Sequence, residues 1–579
     1  MRGLKYSEIL KLNKNLGSNP KSIPYNIIVL SNITVHQIKE ILEYQLRSEN
    51  INANVEIGDY DNIVQDSKKY QDSNIAIIFW ELCNIVDGLQ FKNELLNEEQ
   101  LNKILEKTKS EIDLVLKNLE KTSLVLINRF TSLHFYSFNI RESNLELLAD
   151  QLNNYLEREK PLNVKLVNLE KVIANVGLES SVDLRYYFFS KALYTVTFFK
   201  TYAKYIKPFI MSVNGKAKKA LIFDCDNTLW KGILGEDGFD GIEMSPRTKE
   251  GSIYSEIQTI ANALSKQGIL IGLCSKNNPE DVDKVINTHP DMQLKDDNIA
   301  INISNWSDKV SNLKKIAKDL NIGLDSIVFI DDSSFEVNFV QGQLPEIMVL
   351  QVPEKLYDYP KMLRKNIDLF YNFSFTAEDK IKSNMYKQQL ARKTHKKRFS
   401  NIEDYLKSLE LKITIHLDNE SIITRISQMS QKTNQFNLTT NRYTERDIKS
   451  LIEKNDYKVF SLALSDKLGD SGVTGLCIIN IDKKNKSAEV DTFLLSCRII
   501  GRNIEYAFID FIIEYLKNKK VNIVKSKYIK TQKNEQVKDF YDKCSFELVE
   551  STNSVRIYTL DINNYKPKKL TYIKVINGK

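Results

Sequence analysis

Short apolar runs alternate with amphipathic stretches along the first part of the chain. The runs Asn26–Leu30, Asn74–Trp80 and Ser123–Asn128 have the length and composition of buried strands. Val35–Arg47 and Asn144–Glu157 carry apolar residues at helical spacing. Strands that alternate with helices are typical of a parallel sheet, so residues 1–213 are predicted to form an α/β domain.

A second alternation of the same kind occupies residues 214–372. Its predicted strands are Leu221–Asp224, Ile269–Cys274 and Ser326–Ile330. Too few residues separate the first two of these strands for a large lid domain. The glycine-rich stretch Trp230–Pro246 is therefore expected to form only a small flap, which leaves the strand ends open to a large partner.

The pattern changes again after residue 372. Residues 373–409 are predicted to form a charged linker helix, and residues 410–579 to form a separate α+β domain. Consecutive strands in this last domain are predicted at Phe460–Leu464, Gly472–Asp482 and Ala488–Leu495, and a helix at Ile504–Lys517.

Polar residues follow the ends of the central strands in a way that indicates phosphate chemistry. Asp224, Asp226 and Thr228 end the first strand, and alternation places the two carboxylates on one side. Two like charges so close favour a cation, and Mg²⁺ takes carboxylate oxygens. A lone DxDxT could be only a strand end and a turn. However, hydroxyl, amide, cationic and acidic side chains follow at the next positions: Ser275, Lys276, Asn277, Lys309, Asp331 and Asp332.

The motifs DCDNTLW, LCSKNN, NWSDK and FIDDSSFE resemble those of the haloacid dehalogenase (HAD) superfamily. The sequence around them is similar to that of the FkbH-like branch, subfamily IIIC. The resemblance implies that Asp224 is the nucleophile and Asp226 the general acid/base, with Lys309 also catalytic. It implies Mg²⁺ ligands at Asp224, Asp226, Asp331 and Asp332. It implies phosphate binding by Thr228, Ser275, Lys276, Asn277 and Lys309. Ser333-Ser334 stands where the family often has Asn-Pro.

The stretch Cys497–Asn503 opens the predicted helix Ile504–Lys517 and carries two arginines, which is the composition of a pyrophosphate or phosphopantetheine cradle. With the strands before it, the stretch resembles the GNAT acyltransferase loop R/Q-x-x-G-x-G/A, although Asn503 replaces the third small residue. The resemblance implies acyl or pantetheine binding by Arg498, Gly501, Arg502, Asn534 and Tyr541. Cys497 is either an acyl-carrying nucleophile or an ordinary packed cysteine. Residues 434–440 are expected to line the acyl side.

Two other stretches have both a functional and a structural interpretation. Ser31-Asn32 lies where an SGNH-type esterase has its nucleophile. No histidine occurs between Lys160 and Ala220, so the flavodoxin/SGNH-like first domain is expected to be non-catalytic. The basic run at residues 392–398 is either a solvated helix face or a rim that docks an acidic carrier protein.

Composition excludes several classes of protein. The 579 residues carry a net charge of +7, which is too small for a dedicated nucleic-acid binder. The six cysteines have no metal-ligand spacing, and residues 1–13 have no apolar core, so we expect a cytoplasmic protein with free thiols. Tyr186–Ile206 is apolar but contains three lysines, which favours a packed helix over a membrane span.

The FkbH-like resemblance implies a function in secondary-metabolite biosynthesis. The HAD site would dephosphorylate a 1,3-bisphosphoglycerate-type three-carbon substrate, and the last domain would transfer the glyceryl group to the phosphopantetheine thiol of an acyl carrier protein. An alternative is a HAD phosphatase fused to a CoA-dependent GNAT N-acetyltransferase that acts on a small amine or sugar. A docking scaffold with vestigial sites is a third interpretation.

Overall fold

The computed structural model describes residues 3–17, 24–136, 140, 143–372, 385–388, 392, 395–396, 399–531 and 533–578. The chain divides into two compact units. The first comprises residues 1–213 with Thr444–Asp447, and the second comprises Asn214–Tyr443 and Ile448–Lys579. No described helix combines the length and the apolar character needed to cross a bilayer.

The first unit contains a five-stranded parallel sheet with the order β2-β1-β3-β4-β5. The strands are β1 Tyr25–Ser31, β2 Ala53–Ile57, β3 Ile75–Phe79, β4 Leu124–Asn128 and β5 Val164–Val167. The helices are α1 Tyr6–Gly17, α2 Ile38–Arg47, α3 Ile63–Lys69, α4 Leu89–Lys92, α5 Glu98–Asn118, α6 Leu133–Tyr136, α7 Asn144–Glu159, α8 Leu169–Val176, α9 Leu178–Ser181, α10 Leu184–Ser190 and α11 Val196–Val213. Every residue of β3 and β4 is buried, as expected for parallel strands covered on both faces.

The predicted helix through Tyr186–Ile206 is interrupted. Helix α10 ends at Ser190, and Lys191 adopts a left-handed conformation with φ of +57°. A new helix, α11, begins at Val196. Apolar residues continue across the break, so hydrophobic periodicity alone does not reveal it. In α10 only Tyr187 is buried, whereas α11 buries one whole face.

The second unit begins with another five-stranded parallel sheet, of order β10-β9-β6-β7-β8. Its strands are β6 Ala220–Phe223, β7 Leu270–Ser275, β8 Ile299–Ser304, β9 Ile327–Asp331 and β10 Met348–Gln351. Its helices are α12 Leu234–Asp237, α13 Gly251–Lys266, α14 Pro279–Thr288, α15 Lys309–Leu320, α16 Ser334–Gln343 and α17 Tyr359–Asn366. The flap between β6 and α13 consists of the single-turn helix α12 and an antiparallel bridge between Lys231 and Glu243.

The remainder of the second unit forms an eight-stranded mixed sheet with the order β16-β17-β15-β14-β13-β12-β11-β18. The strands are β11 Leu411–Leu417, β12 Tyr457–Asp466, β13 Gly469–Asp482, β14 Ser487–Leu495, β15 Ile523–Ile529, β16 Glu547–Ser551, β17 Val555–Asp561 and β18 Ile573–Asn577. The helices are α18 Ile402–Ser408, α19 Ile423–Lys432, α20 Glu445–Glu453, α21 Ile504–Asn518 and α22 Phe540–Lys543. Only the part of α20 from Ile448 onward belongs to the second unit. Most of the predicted linker helix, including residues 373–384, lies outside the described residues.

Strands β14 and β15 are parallel but pair only at Ser487–Val490. Beyond that point the segment Phe436–Leu438 lies between them. The amide of Leu438 donates to the carbonyl of Phe493, and the amide of Ile529 donates to the carbonyl of Leu438. Phe436 and Leu438 are buried in the core of this sheet, so this part of the predicted acyl-binding segment is structural.

Candidate active site

Three adjacent parallel strands bring the central polar residues together. Strand β6 lies between β7 and β9, so the residues that follow Phe223, Leu273 and Ile330 meet at one edge of the sheet. The four residues of β6 are fully buried, so their packing fixes the position at which the chain leaves the sheet. The carboxyl edge of a parallel sheet, at the point where strand order reverses, is where such folds build their sites.

A cluster of three carboxylates lies at this edge. Asp224, Asp331 and Asp332 each offer an oxygen, and these oxygens lie within 4.8 Å of one another. The side chain of Lys309 reaches the same place from the start of α15. Its Nζ lies 3.0 Å from Oδ1 of Asp224 and 2.5 Å from Oδ2 of Asp331. Asp224 and Lys309 are only 6% and 3% exposed, so little water screens their charges.

Burial raises the pKa of all three acids, and repulsion adds to this effect for Asp331 and Asp332. Burial is the largest cause for Asp224, and Lys309 opposes it. The pKa of Asp331 is raised by burial and then by the charge of Asp224, and that of Asp332 by burial and then by Asp331. Burial lowers the pKa of Lys309, but the two acids outweigh it and the net direction is upward. The three carboxylates offer oxygen ligands, and their combined negative charge exceeds the single positive charge of the lysine. This combination fits Mg²⁺.

Asp226 is not part of this carboxylate cluster. Its Oδ1 accepts hydrogen bonds from Nε1 of Trp230 at 2.9 Å and from the amide of Leu234 at 3.1 Å. Its Oδ2 accepts one from Nδ2 of Asn277 at 2.9 Å. The argument that put Asp226 beside Asp224 assumed strand alternation, but β6 ends at Phe223 and Asn227 adopts φ of +51°. The turn directs the Asp226 carboxylate toward the flap instead of the three acids.

The predicted phosphate-binding residues divide into two groups. Ser275 is buried at the end of β7 and lies beside Asp224. Thr228 is fully buried and its hydroxyl has no hydrogen-bond partner among the described residues. Nδ2 of Asn277 donates a hydrogen bond to Asp226, and Lys276 forms an ion pair of 2.5 Å with Glu336. The structure thus brings Ser275 and Lys309 to the acid cluster, and directs Lys276 and Asn277 to other carboxylates.

Sequence reasoning missed Tyr359. Its buried hydroxyl donates to the carbonyl of Thr228 at 3.2 Å and ties α17 to the turn after β6. No motif signals this contact, because 131 positions separate the two residues. The neighbouring thiols of Cys225 and Cys274 are buried, and burial raises the pKa of both, which is the behaviour of packed cysteines.

The predicted acyl-binding loop is partly committed to internal contacts. Gly501 and Asn503 adopt positive φ of +84° and +61° before α21. Arg502 is buried, its Nη1 lies 3.2 Å from Oδ2 of Asp466, and its Nη2 donates to the carbonyl of Arg498.

Asp466 also accepts two hydrogen bonds, of 2.7 and 2.8 Å, from Arg392. Arg392 is 3% exposed, so it is part of a buried ion-pair network and not of a solvated basic rim. Lys393, Thr394, Lys397 and Arg398, which belong to the same predicted rim, lie outside the described residues.

Asn534 and Tyr541 are also internal. Nδ2 of Asn534 donates to the carbonyls of Asn437 and Ile529, and its Oδ1 accepts from the amide of Thr531 and the hydroxyl of Tyr528. Tyr541 is 1% exposed and lies in the core of the mixed sheet. Cys497, in contrast, is partly exposed, and it is the only one of the six cysteines that is not buried.

Ser31 and His134 do not belong to a common serine hydrolase triad. Ser31 donates its hydroxyl to the carbonyl of Ile33. His134 lies elsewhere, 3.0 Å from the hydroxyl of Tyr194 and 3.9 Å from Glu81. The serine and the histidine therefore do not form a nucleophile–base pair.

A crystal structure of the N-terminal part of BF1531 from Bacteroides fragilis is similar to this chain. That protein contains a phosphatase domain and was solved in complex with Mg. The two share 26% identity with a TM-score of 0.55, and the likeness covers 64% of this chain and 100% of that chain. This likeness confirms the prediction of an enzyme, and the sheets described above confirm the predicted α/β class.

Shorter likenesses exist to the ribosomal-protein-S18-alanine N-acetyltransferase of Escherichia coli and the spermidine N-acetyltransferase of Vibrio cholerae. Each is 13% identical with a TM-score of 0.21, and covers 26% of this chain and 94% of that chain. No protein-family model and no curated protein matches the chain.

Proposed function

We propose that this chain is a Mg²⁺-dependent phosphatase of the HAD superfamily, FkbH-like branch, with an attached acyltransferase domain. Its substrate is a phosphorylated three-carbon acid of the 1,3-bisphosphoglycerate type, and its acceptor is the phosphopantetheine thiol of an acyl carrier protein. The observation that carries the proposal is the cluster of buried Asp224 and Asp331 with half-buried Asp332, and with Lys309 beside it. The likeness to a phosphatase-containing protein complexed with Mg supports the same chemistry.

Asp224 is the nucleophile in this proposal. Its carboxylate attacks phosphorus, a bond forms between an aspartyl oxygen and phosphorus, and the bond from phosphorus to the substrate oxygen breaks. Asp224, Asp331 and Asp332 would hold the Mg²⁺, which neutralises charge on the phosphate. Lys309, which contacts Asp224, and Ser275, which lies beside it, bind phosphate oxygens.

Asp226 moves the proton. It gives a proton to the departing oxygen, and then takes one from the water that hydrolyses the aspartyl phosphate. Trp230, Leu234 and Asn277 hold its carboxylate in place by three hydrogen bonds. A flap as small as the one after β6 leaves room for a substrate that is attached to a larger partner.

Cys497 takes the acyl group in the second half of the reaction. Its thiolate attacks the carbonyl carbon of the acyl phosphate, a thioester forms, and inorganic phosphate leaves with the carbonyl–oxygen bond broken. The thiol of the carrier protein then attacks this thioester, and Cys497 leaves with its proton restored. Partial exposure of Cys497 supports this role, because the other cysteines are shielded from any partner. Free thiols throughout the chain support a reducing, cytoplasmic setting.

The test combines phosphate release with the mass of the carrier. We expect the wild-type protein, with Mg²⁺, 1,3-bisphosphoglycerate and a holo carrier protein, to release phosphate and to add a glyceryl group to the carrier. Asp224→Asn should lower phosphate release by the HAD site roughly a thousandfold or more. The matched control is Asp297→Asn, which changes an exposed acid of the same domain.

Each half of the proposal has its own contrary result. Unchanged phosphate release in Asp224→Asn contradicts the assignment of the nucleophile. Normal phosphate release without any change in the mass of the carrier contradicts the acyl transfer and leaves a phosphatase.

A further inference from the structure

A cavity of about 220 Å³ lies beside Cys497 in the second unit. It is formed by the loop between α15 and β9 and the start of β6 on one side, and by α19 and the loop after β14 on the other. Five cationic side chains line it together with the thiol: Lys219, Arg425, Lys432, Arg498 and Lys533. None of the described residues that line it is acidic.

Internal contacts hold several of these cations in place. Nε and Nη2 of Arg425 donate to the carbonyl of Val473 at 3.2 and 3.1 Å. Nζ of Lys219 lies 3.5 Å from the carbonyl of Lys432, and Nζ of Lys533 lies 2.5 Å from Oδ2 of Asp325. Because the groups are fixed before any ligand arrives, an anion that binds them loses little free energy to ordering side chains.

Like charges gathered around a partly enclosed space repel one another. Burial lowers the pKa of Lys219, and the cations Lys533 and Arg442 lower it further against the opposing effects of Cys497 and Asp325. An anion in the cavity would offset that repulsion. A phosphate dianion suits the set best, because arginine and lysine together offer forked and single donors to its three terminal oxygens.

We propose that this cavity is a second phosphate-binding site, which takes the phosphate group of a small phosphorylated molecule and holds it next to the Cys497 thiol. The site is separate from the acid cluster at Asp224 and uses no metal. It goes beyond the function proposed above, and its test needs no phosphate release. Tyr386 also lines the cavity.

Cys497 serves as the reporter of occupancy, because the other five thiols are buried. The full-length protein is treated with iodoacetamide in the presence of EDTA, and carboxamidomethylation of the Cys497 peptide is followed by mass spectrometry. Glycerol phosphate is the probe, and glycerol with potassium chloride at the same ionic strength is the reference. We expect saturable protection, which reaches about fivefold at about four times the dissociation constant.

Variants show whether the cations carry the effect. Lys219→Met combined with Lys432→Met should lose the protection, each protein being compared with its own rate without probe. Lys525→Met removes an exposed charge from β15 and should retain it. Near-ultraviolet circular dichroism of each variant verifies that its tertiary packing is intact.

Titration calorimetry with glycerol phosphate gives an independent measurement on the same proteins, with binding expected in wild type and lost in the double variant. The proposal is overturned if glycerol phosphate neither protects Cys497 nor binds by calorimetry. It is equally overturned if potassium chloride protects as well, if the double variant is still protected, or if only CoA protects.

Discussion

Lys309 is the residue on which the acid cluster depends. Its Nζ contacts the carboxylates of both Asp224 and Asp331. All three side chains are nearly inaccessible to water. Removing one partner of a buried ion pair leaves an uncompensated charge, which costs several times more than the loss of an exposed pair. The cluster therefore needs either its lysine or a bound metal to remain charged and folded.

Replacing Lys309 with methionine should lower the free energy of unfolding by roughly 3–5 kcal/mol in the presence of EDTA. Mg²⁺ should restore part of the loss, because it supplies the missing positive charge. Thermal melts with EDTA and with Mg²⁺ measure both effects. Lys231→Met is the control, since that half-exposed lysine pairs with the half-exposed Glu250 and should cost less than about 1 kcal/mol. A metal-independent melting temperature in Lys309→Met would contradict this account.

Glu81 gives the first unit a pH-dependent stability. Burial raises the pKa of this carboxyl group from 4.5 to about 7, against a hydrogen bond from Tyr194 that lowers it. The folded chain therefore holds a proton that the unfolded chain releases between these values. The resulting stabilisation is fully present below pH 4.5 and is lost as the pH rises through 7. Burial also lowers the pKa of His134 to about 4, which acts in the opposite direction on acidification.

Glu81→Gln should match the wild type near pH 5 and exceed its stability at pH 8 by up to roughly 3 kcal/mol, because glutamine stays neutral. At pH 8 His134 is neutral in both the folded and the unfolded chain, so the difference at that pH isolates Glu81. Amide hydrogen exchange of β3 and β4 in the full chain, corrected for intrinsic rates, measures it. The exposed Glu179→Gln is the matched control. Parallel pH profiles for Glu81→Gln and wild type would refute the prediction.

At the scale of elements, the mixed sheet depends on a segment that belongs to none of its regular strands. Phe436–Leu438 supplies the hydrogen bonds that β14 and β15 cannot give each other after Val490. Asn534 fastens this segment by donating to the carbonyl of Asn437, and fastens its own loop through the amide of Thr531.

Asn534→Ala should lower the free energy of unfolding by about 1–3 kcal/mol, because it leaves buried backbone groups without partners. Exchange at the amides of Leu438 and Leu495 should accelerate more than exchange in β12. Hydrogen-exchange mass spectrometry resolves the two regions, and the exposed Asn563→Ala is the control. If the variant instead kept full stability and lost only ligand binding, Asn534 would be a binding residue, as its motif position implies.

Sequence patterns located most strands well and some side chains poorly. The apolar runs at β1, β3, β4 and β7 are recognisable because both faces of those strands are buried. The inserted segment around Leu438 was not foreseen as a structural element, because a pairing between distant parts of the chain leaves no periodic signal. The orientation of Asp226 was missed for another reason, since it depends on the turn at Asn227 and not on strand alternation.

Across the whole molecule, thiol accessibility is uneven. Five of the six cysteines are buried, and Cys497 is partly exposed. A neutral thiol reagent should therefore titrate one thiol per native chain and six after denaturation, with Cys497 as the peptide that is modified first. Cys497→Ser should reduce the native count to zero and leave five in denaturant. Rapid reaction of two or more thiols in the native protein would contradict the burial described for Cys225 and Cys274.

The candidate site as a whole was predictable to the extent that it follows strand ends. Asp224, Ser275 and Asp331 meet because the parallel strands that precede them end at one edge of the sheet. Each of those strands is recognisable in the sequence as an apolar run. The cations of the cavity beside Cys497 come from regions of the chain that share no motif. Only folding brings Lys219 and Arg425 to the same space.

Because Trp230 donates a hydrogen bond to Asp226, its intrinsic fluorescence can report on the site. An indole that donates to the carboxylate proposed to transfer protons will emit differently when that group changes its charge or contacts a phosphate. Trp306 is 76% exposed and can be quenched by acrylamide, whereas Trp80 and Trp230 are shielded. Stopped-flow fluorescence with quencher present could thus follow single turnovers on unlabelled substrate.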